Sequence, residues 1–419
     1  MQKLKKDLRR VLKKSLSGFE DKAAELLDEI IKSDIPQKDR HKVLKTLMLC
    51  MYSSVFGYYN LKQVLTAYGI KSSNFYNLYN KLSFADITNL SASLFEYYVS
   101  EPLIKLGKQS ESTWSRQKST YVIDASIFKT WLKQADSELF DKFFSGQTKK
   151  AEYGYKLTLG GIVISDTFYP LVFFITPKKT TDSEVAQIIL SILHQFTQKL
   201  EKQHELSFGK WFLSVDSGYS DSDLIVLSQK YEIEMICVPV KSHLFEIDGQ
   251  SINLKNYIIQ QFLEQEQEYY KKNDPETAPP FTMRKKAKYK CRNMNVILLI
   301  FRLAGSKKVS VVYTTDLNIK AKTLRRHWFQ RTYIEQFFRI CKHSLKIAAS
   351  TYSSVDDFIR KICLFFLKAV FILQIRNACR RYKGMKNITF GTIRLLVSKN
   401  KIGHTYLLRL LKLQDPFTI

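Results

Sequence analysis

Acidic residues are in short supply in this chain: 39 Asp and Glu stand against 66 Lys and Arg in 419 residues, a net charge of +27 and a pI near 9.6. That imbalance makes a polyanion the expected partner, nucleic acid first and an anionic membrane surface second. Cysteine is sparse too. The six copies, Cys50, Cys237, Cys291, Cys341, Cys363 and Cys379, form no C-x-x-C pair, and the seven histidines are scattered. Neither a zinc site nor a disulfide framework is expected, and a reducing cytosol fits. Long apolar runs are missing. The most apolar stretch, 362 to 375, is broken by Lys368 and falls short of the ~20 residues a bilayer crossing needs, so it reads as a buried helix. Residues 1 to 17 are basic without a continuous apolar core, so no signal peptide and no membrane partner are expected. What is present, 45% hydrophobic and 25% charged residues, is the composition of a globular protein long enough for two or three domains.

One stretch organises the rest: HWFQRTYIEQFFRICKHSL, from His327 to Leu345. It has no Gly or Pro, and its residues separate at helical spacing into two stripes. Ile334, Phe338, Cys341 and Leu345 can dock the helix on a core. Trp328, Arg331, Glu335, Arg339 and Lys342 share roughly a quarter of the circumference, at ~100° per residue. In isolation, a solvated face with Arg331 and Glu335 as an i,i+4 ion pair is the plainer reading of that stripe. Two aspartates upstream, each ending an apolar run, tip the balance. A Glu on a docked helix facing two strand-end Asp residues is how carboxylates are gathered to hold divalent metal.

In chain order, residues 1–112 read as a helical, basic region. It opens with KLKKDLRRVLKKSL, whose apolar stripe is Leu4, Leu8, Val11, Leu12 and Leu16. Leu61 to Tyr68, a turn at Gly69, and a second helix capped by Ser72 or Ser73 have the rhythm of a helix-turn-helix. Asn74, Tyr76, Asn77 and Asn80 would then reach DNA; two short helices joined at a glycine are the plainer alternative. Glu111 to Thr120 reads as a linker. Tyr121 to Ile123 reads as a strand delivering Asp124 at its end, and 156–164 with 170–175 as a hairpin. A helix over 183–204 follows, with Thr181 or Asp182 as N-cap, capping being the default role for Asp182. Trp211 to Val215 is the next strand; Gly218 permits a sharp exit that exposes Asp216, and Ser222 can cap the helix reaching Lys230. Asp221 and Asp223 are explained by the dipole of that helix. A strand over 234–240 completes an α/β pattern. Residues 241–312 break it and read as an inserted β-containing subdomain. Its Lys285, Lys286, Lys288 and Lys290 either follow a DNA backbone or protect a strand edge. Residues 351–419 read as a helical, basic C-terminal region.

The spacing Trp328-x2-Arg331-x3-Glu335-x6-Lys342 resembles the Tyr-x2-Arg-x3-Glu-x6-Lys signature of bacterial insertion-sequence DDE transposases of the IS-four-type branch, with Trp in place of Tyr. The likeness spans about residues 115 to 380. It implies a ribonuclease H-like catalytic core over 113–240 and 313–350, with 241–312 inserted. It also implies Asp124, Asp216 and Glu335 as catalytic, metal-holding residues with two Mg²⁺ or Mn²⁺ ions. Arg331 and Lys342 would then contact phosphate near the scissile end, with Trp328 against the backbone or an unstacked base and Arg339 among the DNA-facing residues. The expected function is cut-and-paste transposition on double-stranded DNA, at terminal inverted repeats and a target, in a homodimeric complex in the bacterial cytoplasm with the nucleoid. The alternatives are a catalytically inactive transposase-derived DNA-binding protein and a structure-selective nuclease.

Overall fold

The computed structural model describes residues 71–81, 83–108, 119–129, 138–145, 150–164, 167–220, 223–240, 242–253, 258–274, 280–302, 308–345, 347 and 354–380, with scattered positions between 18 and 65. The amphipathic segment at residues 4–16, the first helix of the expected helix-turn-helix apart from Leu65, the turn at Gly69, residues 111–118 of the linker, Asp166, Asp221, Ser222 and the basic C-terminal tail lie outside the described residues. Thr120, read as the end of the linker, instead begins the first strand, where it pairs with its neighbours.

Two helices, α1 (Ser72–Tyr79) and α2 (Phe84–Gly107), precede the sheet. Ser72 and Ser73 fall inside the first turn of α1, with Tyr76 and Asn77 exposed and Asn74 half-buried. Ser83 caps α2 through a reciprocal pair with Asp86, which satisfies two otherwise unpaired amides.

The sheet begins with β1 (Thr120–Lys129), β2 (Asp141–Ser145), β3 (Lys150–Ile164) and β4 (Thr167–Thr176). β1 and β4 each run antiparallel to β3. After α3 (Asp182–His204), β5 (Phe212–Val215) pairs parallel to β1, and after α4 (Leu224–Lys230), β6 (Glu234–Cys237) pairs parallel to β5. This mixed sheet, antiparallel on one side of β1 and parallel on the other, is compatible with a ribonuclease H-like transposase core.

The strands of 241–312 do not stand apart from it. Here β7 (Leu244–Ile247), β8 (Gln250–Asn253), α5 (Ile258–Lys272), β9 (Thr282–Tyr289) and β10 (Met294–Arg302) are followed by β11 (Val309–Thr314). β11 pairs with β6, β10 with β11, β9 with β10, and β7 with β9, so the segment extends the same sheet. Sequence pattern alone could not reveal that continuity, because strand alternation says nothing about which strand is the neighbour.

Helices cover both faces. On one, α3, α4 and α5 bury Ile189, Leu193, Leu224, Ile225, Ile258 and Phe262 against Tyr121, Ile123, Leu213, Met235 and Leu298. On the other lie α6 (Ala321–Gln330), α7 (Thr332–Arg339) and α8 (Val355–Arg380). α8 includes the stretch read as a buried helix, and Ile362, Phe366, Val370 and Ile375 are indeed buried. No described helix is long and apolar enough to cross a membrane.

Helix α3 approaches the sheet at a glycine. A Cβ on Gly160 would clash with the Cγ2 of Ile189, a branched side chain that is fully buried in α3. Gly160→Ala is therefore expected to lower unfolding free energy by about 1–3 kcal/mol through overpacking. A urea midpoint equal to that of the parent would contradict this contact.

Candidate active site

Strand register brings the first two acids together. Val122 of β1 is opposite Ser214 of β5 in a parallel ladder. Two residues further on, with the side-chain period of two, Asp124 and Asp216 fall beside each other on the same face. Asp124 does not end its strand: β1 continues to Lys129 along β3. The expected strand end is instead the end of the parallel ladder, where β5 stops at Val215 and the sheet opens on that side.

Both aspartates adopt the same posture. Each ties Oδ1 to the next backbone amide, Ala125 N donating to Asp124 at 2.9 Å and Ser217 N to Asp216 at 2.8 Å. Each turns Oδ2 toward Arg331, whose Nη1 lies 3.7 Å from both. The turn after Asp216 is a single 3-10 turn, Ser217–Tyr219. It is pinned by two phenols from the extended part of the sheet: Tyr313 donates to the Ser220 carbonyl at 2.7 Å and Tyr289 at 3.2 Å.

The third acid arrives on α7. The segment from His327 is not one uninterrupted helix: α6 ends at Gln330, Arg331 is at once its C-cap and the N-cap of α7, and a π-helical stretch runs from Ile340 to Ser344. Around Arg331 the amides reach back three residues, Arg331 N to Trp328 O and Ile334 N to Arg331 O. This local tightening to 3-10 bonding marks the junction of the two helices. The Arg331 Nη2 donates to Glu335 at 2.7 Å, and the guanidinium carbon lies over the Trp328 ring, 4.9 Å from its centroid. The expected docking stripe of Ile334, Phe338, Cys341 and Leu345 is buried, together with Phe337.

One guanidinium thus gathers the three acids at three different degrees of burial. Asp124 is largely buried, whereas 47% of the Asp216 side chain and 41% of the Glu335 side chain are exposed. Burial pushes the Asp124 carboxyl up to about 6, against the opposing pull of Arg331. Lys342 sits over the Phe128 ring at 4.9 Å, and burial lowers its pKa while the charge of Asp124 resists. Arg339 is exposed a turn beyond Glu335 and stands outside the ion pairs that gather the acids. Asn74, Tyr76 and Asn77 belong to α1, outside the acid cluster.

The raised Asp124 pKa has a consequence for stability in chelator. An unfolded Asp titrates near ~3.9, so between roughly pH 4 and 6 the folded protein holds the extra proton. Its contribution is present below the unfolded value and is lost as pH rises through the folded one. From pH 4 to 7 the parent should lose on the order of 2–3 kcal/mol relative to Asp124→Asn. Parallel urea-midpoint profiles for the two proteins would rule this out.

Several positions were not singled out in the sequence. Thr120 Oγ1 bonds His327 Nδ1 at 2.7 Å and also Gln330, and the His327 ring stacks on Phe212 at 4.2 Å. These buried contacts anchor the end of α6 over β1 and β5 and so place Arg331. Asp182 is not the cap of α3. Thr181 caps that helix in a reciprocal pair with Glu184, and Asp182 pairs with Lys156 of β3. The charge of Asp182, with that of Asp124 and Asp216, also bears on the buried phenol of Tyr219, whose pKa is raised first by burial. The Asp216-Ser217-Gly218-Tyr219 run carried a signal for the turn but none for the tyrosine.

An oxygen-only donor set suits Mg²⁺ or Mn²⁺ rather than a thiolate- or imidazole-bound metal. Asp124 and Asp216, side by side with each Oδ2 3.7 Å from the same guanidinium nitrogen, have the donor chemistry for such an ion. Glu335 is turned to Arg331, and among the described residues no group of three or more Asp, Glu, His or Cys side chains is placed to hold one ion. To join the pair at one ion, Glu335 would have to exchange Arg331 for the metal.

A largely buried Asp, a second Asp on the neighbouring strand and a Glu on a helix docked over both thus meet at one guanidinium. Residues 115–370, more than half of the chain, match the family described as Transposase DDE domain, and the chain belongs to that family. No curated protein matches it. Membership carries transposition as the family-level activity, DNA as the partner and divalent metals as the general cofactor class.

Proposed function

We propose that the protein is a cut-and-paste transposase of the IS-four-type branch, acting at the ends of an insertion sequence with Asp124, Asp216 and Glu335 as its metal-holding, catalytic residues. The observation that carries this reading is the shared posture of the two aspartates toward one point that Glu335 also reaches through Arg331. Two Mg²⁺ or Mn²⁺ ions held there would supply activation of an attacking water or 3′-hydroxyl and stabilisation of the departing oxygen.

The protein groups divide the remaining work. Arg331 presents a guanidinium that matches phosphate as well as carboxylate, so an entering scissile phosphate competes with the acids for it. Lys342, held over Phe128 beside Asp124, adds a second cation for the same phosphate. Trp328 offers an indole face beneath Arg331, and has no phenolic oxygen with which to hydrogen-bond phosphate. Residues 1–112 recognise the terminal repeats, two copies of the chain act together, and the core comprises 113–240 and 313–350. The test is cleavage of DNA carrying the element's own ends. It should require Mg²⁺ or Mn²⁺, and cutting that persists in excess chelator would overturn the assignment.

A further inference from the structure

Four lysines cluster between 285 and 290, and their sequence does not separate one from another. Register does. In β9, Arg284 is opposite Leu299 of β10, Lys286 is opposite Ile297, and Lys288 is opposite Asn295. Antiparallel partners share a face, and Leu299 packs with Phe212 and with Leu324 of α6. Arg284, Lys286 and Lys288 therefore lie on the α6–α7 face, the same face as Asp124 and Asp216, and all three are exposed. Lys285 is opposite Leu298, which belongs to the core on the other side of the sheet.

We propose that this row is a sequence-independent track for the sugar–phosphate backbone of duplex DNA, leading along the sheet toward the acid cluster. The inference rests on the transposase reading and extends it to a surface outside the acid site. Alternate residues of a strand are ~6.8 Å apart, a spacing that lets successive cations meet successive phosphates of one strand. The row continues structurally toward the site. Arg284 Nη2 donates to the Leu317 carbonyl at 2.8 Å, and that loop leads directly into α6. On α6, Lys322 and Arg326 are exposed at i,i+4, and the helix ends at Gln330 with Arg331 as its C-cap. Glu246 of β7 stands opposite Lys288 and is, among the described strand pairs of β9, the one acid across from the row, so the track remains net positive. Edge protection explains lysines on a strand without regard to face. It gives no reason for three cations to share the face of the acids.

The experiment measures binding of the full-length protein to duplex DNA of arbitrary sequence as a function of salt. Each phosphate contact contributes about −0.9 to the slope of log K against log salt. Replacing Arg284, Lys286 and Lys288 together by Gln should make the slope shallower by about 2–3, while Lys285→Gln, on the opposite face, should leave it unchanged. Circular dichroism and thermal melting of both proteins check that the sheet is intact. Single Lys286→Gln and Lys288→Gln variants, each expected to change the slope by about 1, keep the proposal testable if the triple variant does not fold. A parental slope in the triple variant, including one that has merely become prone to aggregate, would overturn the track. So would an equal effect from Lys285→Gln, because bulk charge rather than face would then govern. If the parent protein binds no DNA at all, it is the transposase reading that falls.

Discussion

Glu335→Gln should bind its DNA ends as the parent does and cut them at a rate lower by two or more orders of magnitude. Gln keeps the size and helix propensity of Glu, and 41% of the Glu335 side chain is exposed, so the substitution is not expected to disturb α7. It removes the negative charge that a hard cation needs, and a metal-assisted step that loses a ligand loses transition-state stabilisation directly. The competing explanation is that Glu335 is only the outer half of a helix ion pair with Arg331. In that case the same change shifts stability by under ~1 kcal/mol and leaves cleavage intact. Cleavage by Glu335→Gln at the parental rate, assayed with Mg²⁺ on DNA carrying the element's ends, would remove the residue from the site.

Arg331→Ala is expected to have a large effect of a different kind. The guanidinium touches all three acids, so its loss leaves Asp124 beside Asp216 with no ion-pair partner and only the charge of Lys342 to oppose theirs. Breaking a buried pair on one side is more costly than lacking the pair altogether. The exposure of Asp216 and Glu335 reduces the effect here to on the order of 1–3 kcal/mol in chelator. Mn²⁺ should restore much of that stability, since a bound cation supplies the missing charge. Cleavage should nevertheless stay impaired, because the phosphate contact is gone. Lys342→Ala, which removes a cation that packs on Phe128, should lower cleavage without the metal-reversible loss of stability. Unfolding midpoints with EDTA and with Mn²⁺ separate the two variants. An Arg331→Ala protein as stable as the parent in EDTA would show that the ion-pair cluster contributes nothing to the fold.

The acids were legible in the sequence because each is announced by local grammar. Asp124 and Asp216 follow apolar, β-branched runs, and Glu335 lies on the polar face of a segment whose opposite stripe, Ile334, Phe338, Cys341 and Leu345, is plainly apolar. Periodicity is a property of neighbours in the chain, so it survives without coordinates. Boundaries were less legible for the same reason. Asp124 reads as a strand end in sequence, yet β1 continues past it because β3 still pairs there, and pairing is a long-range fact. Asp182 reads as a cap, but Thr181 with Glu184 forms the better reciprocal pair and leaves Asp182 to Lys156.

By itself the sequence determined the charge, the alternation of helix and strand, and which side chains have the chemistry for a hard-metal, phosphate-directed site. Only the tertiary structure decided that the strands of 241–312 extend the main sheet, that Tyr289 and Tyr313 clamp the turn behind Asp216, and that Thr120, His327 and Gln330 hold Arg331 in place. It alone separated Lys286 from Lys285. Each of those outcomes depends on which strand lies beside which, and in what register. A shift of one residue reverses every face, so hydrogen-bonded partners far apart in the chain fix what local pattern leaves open.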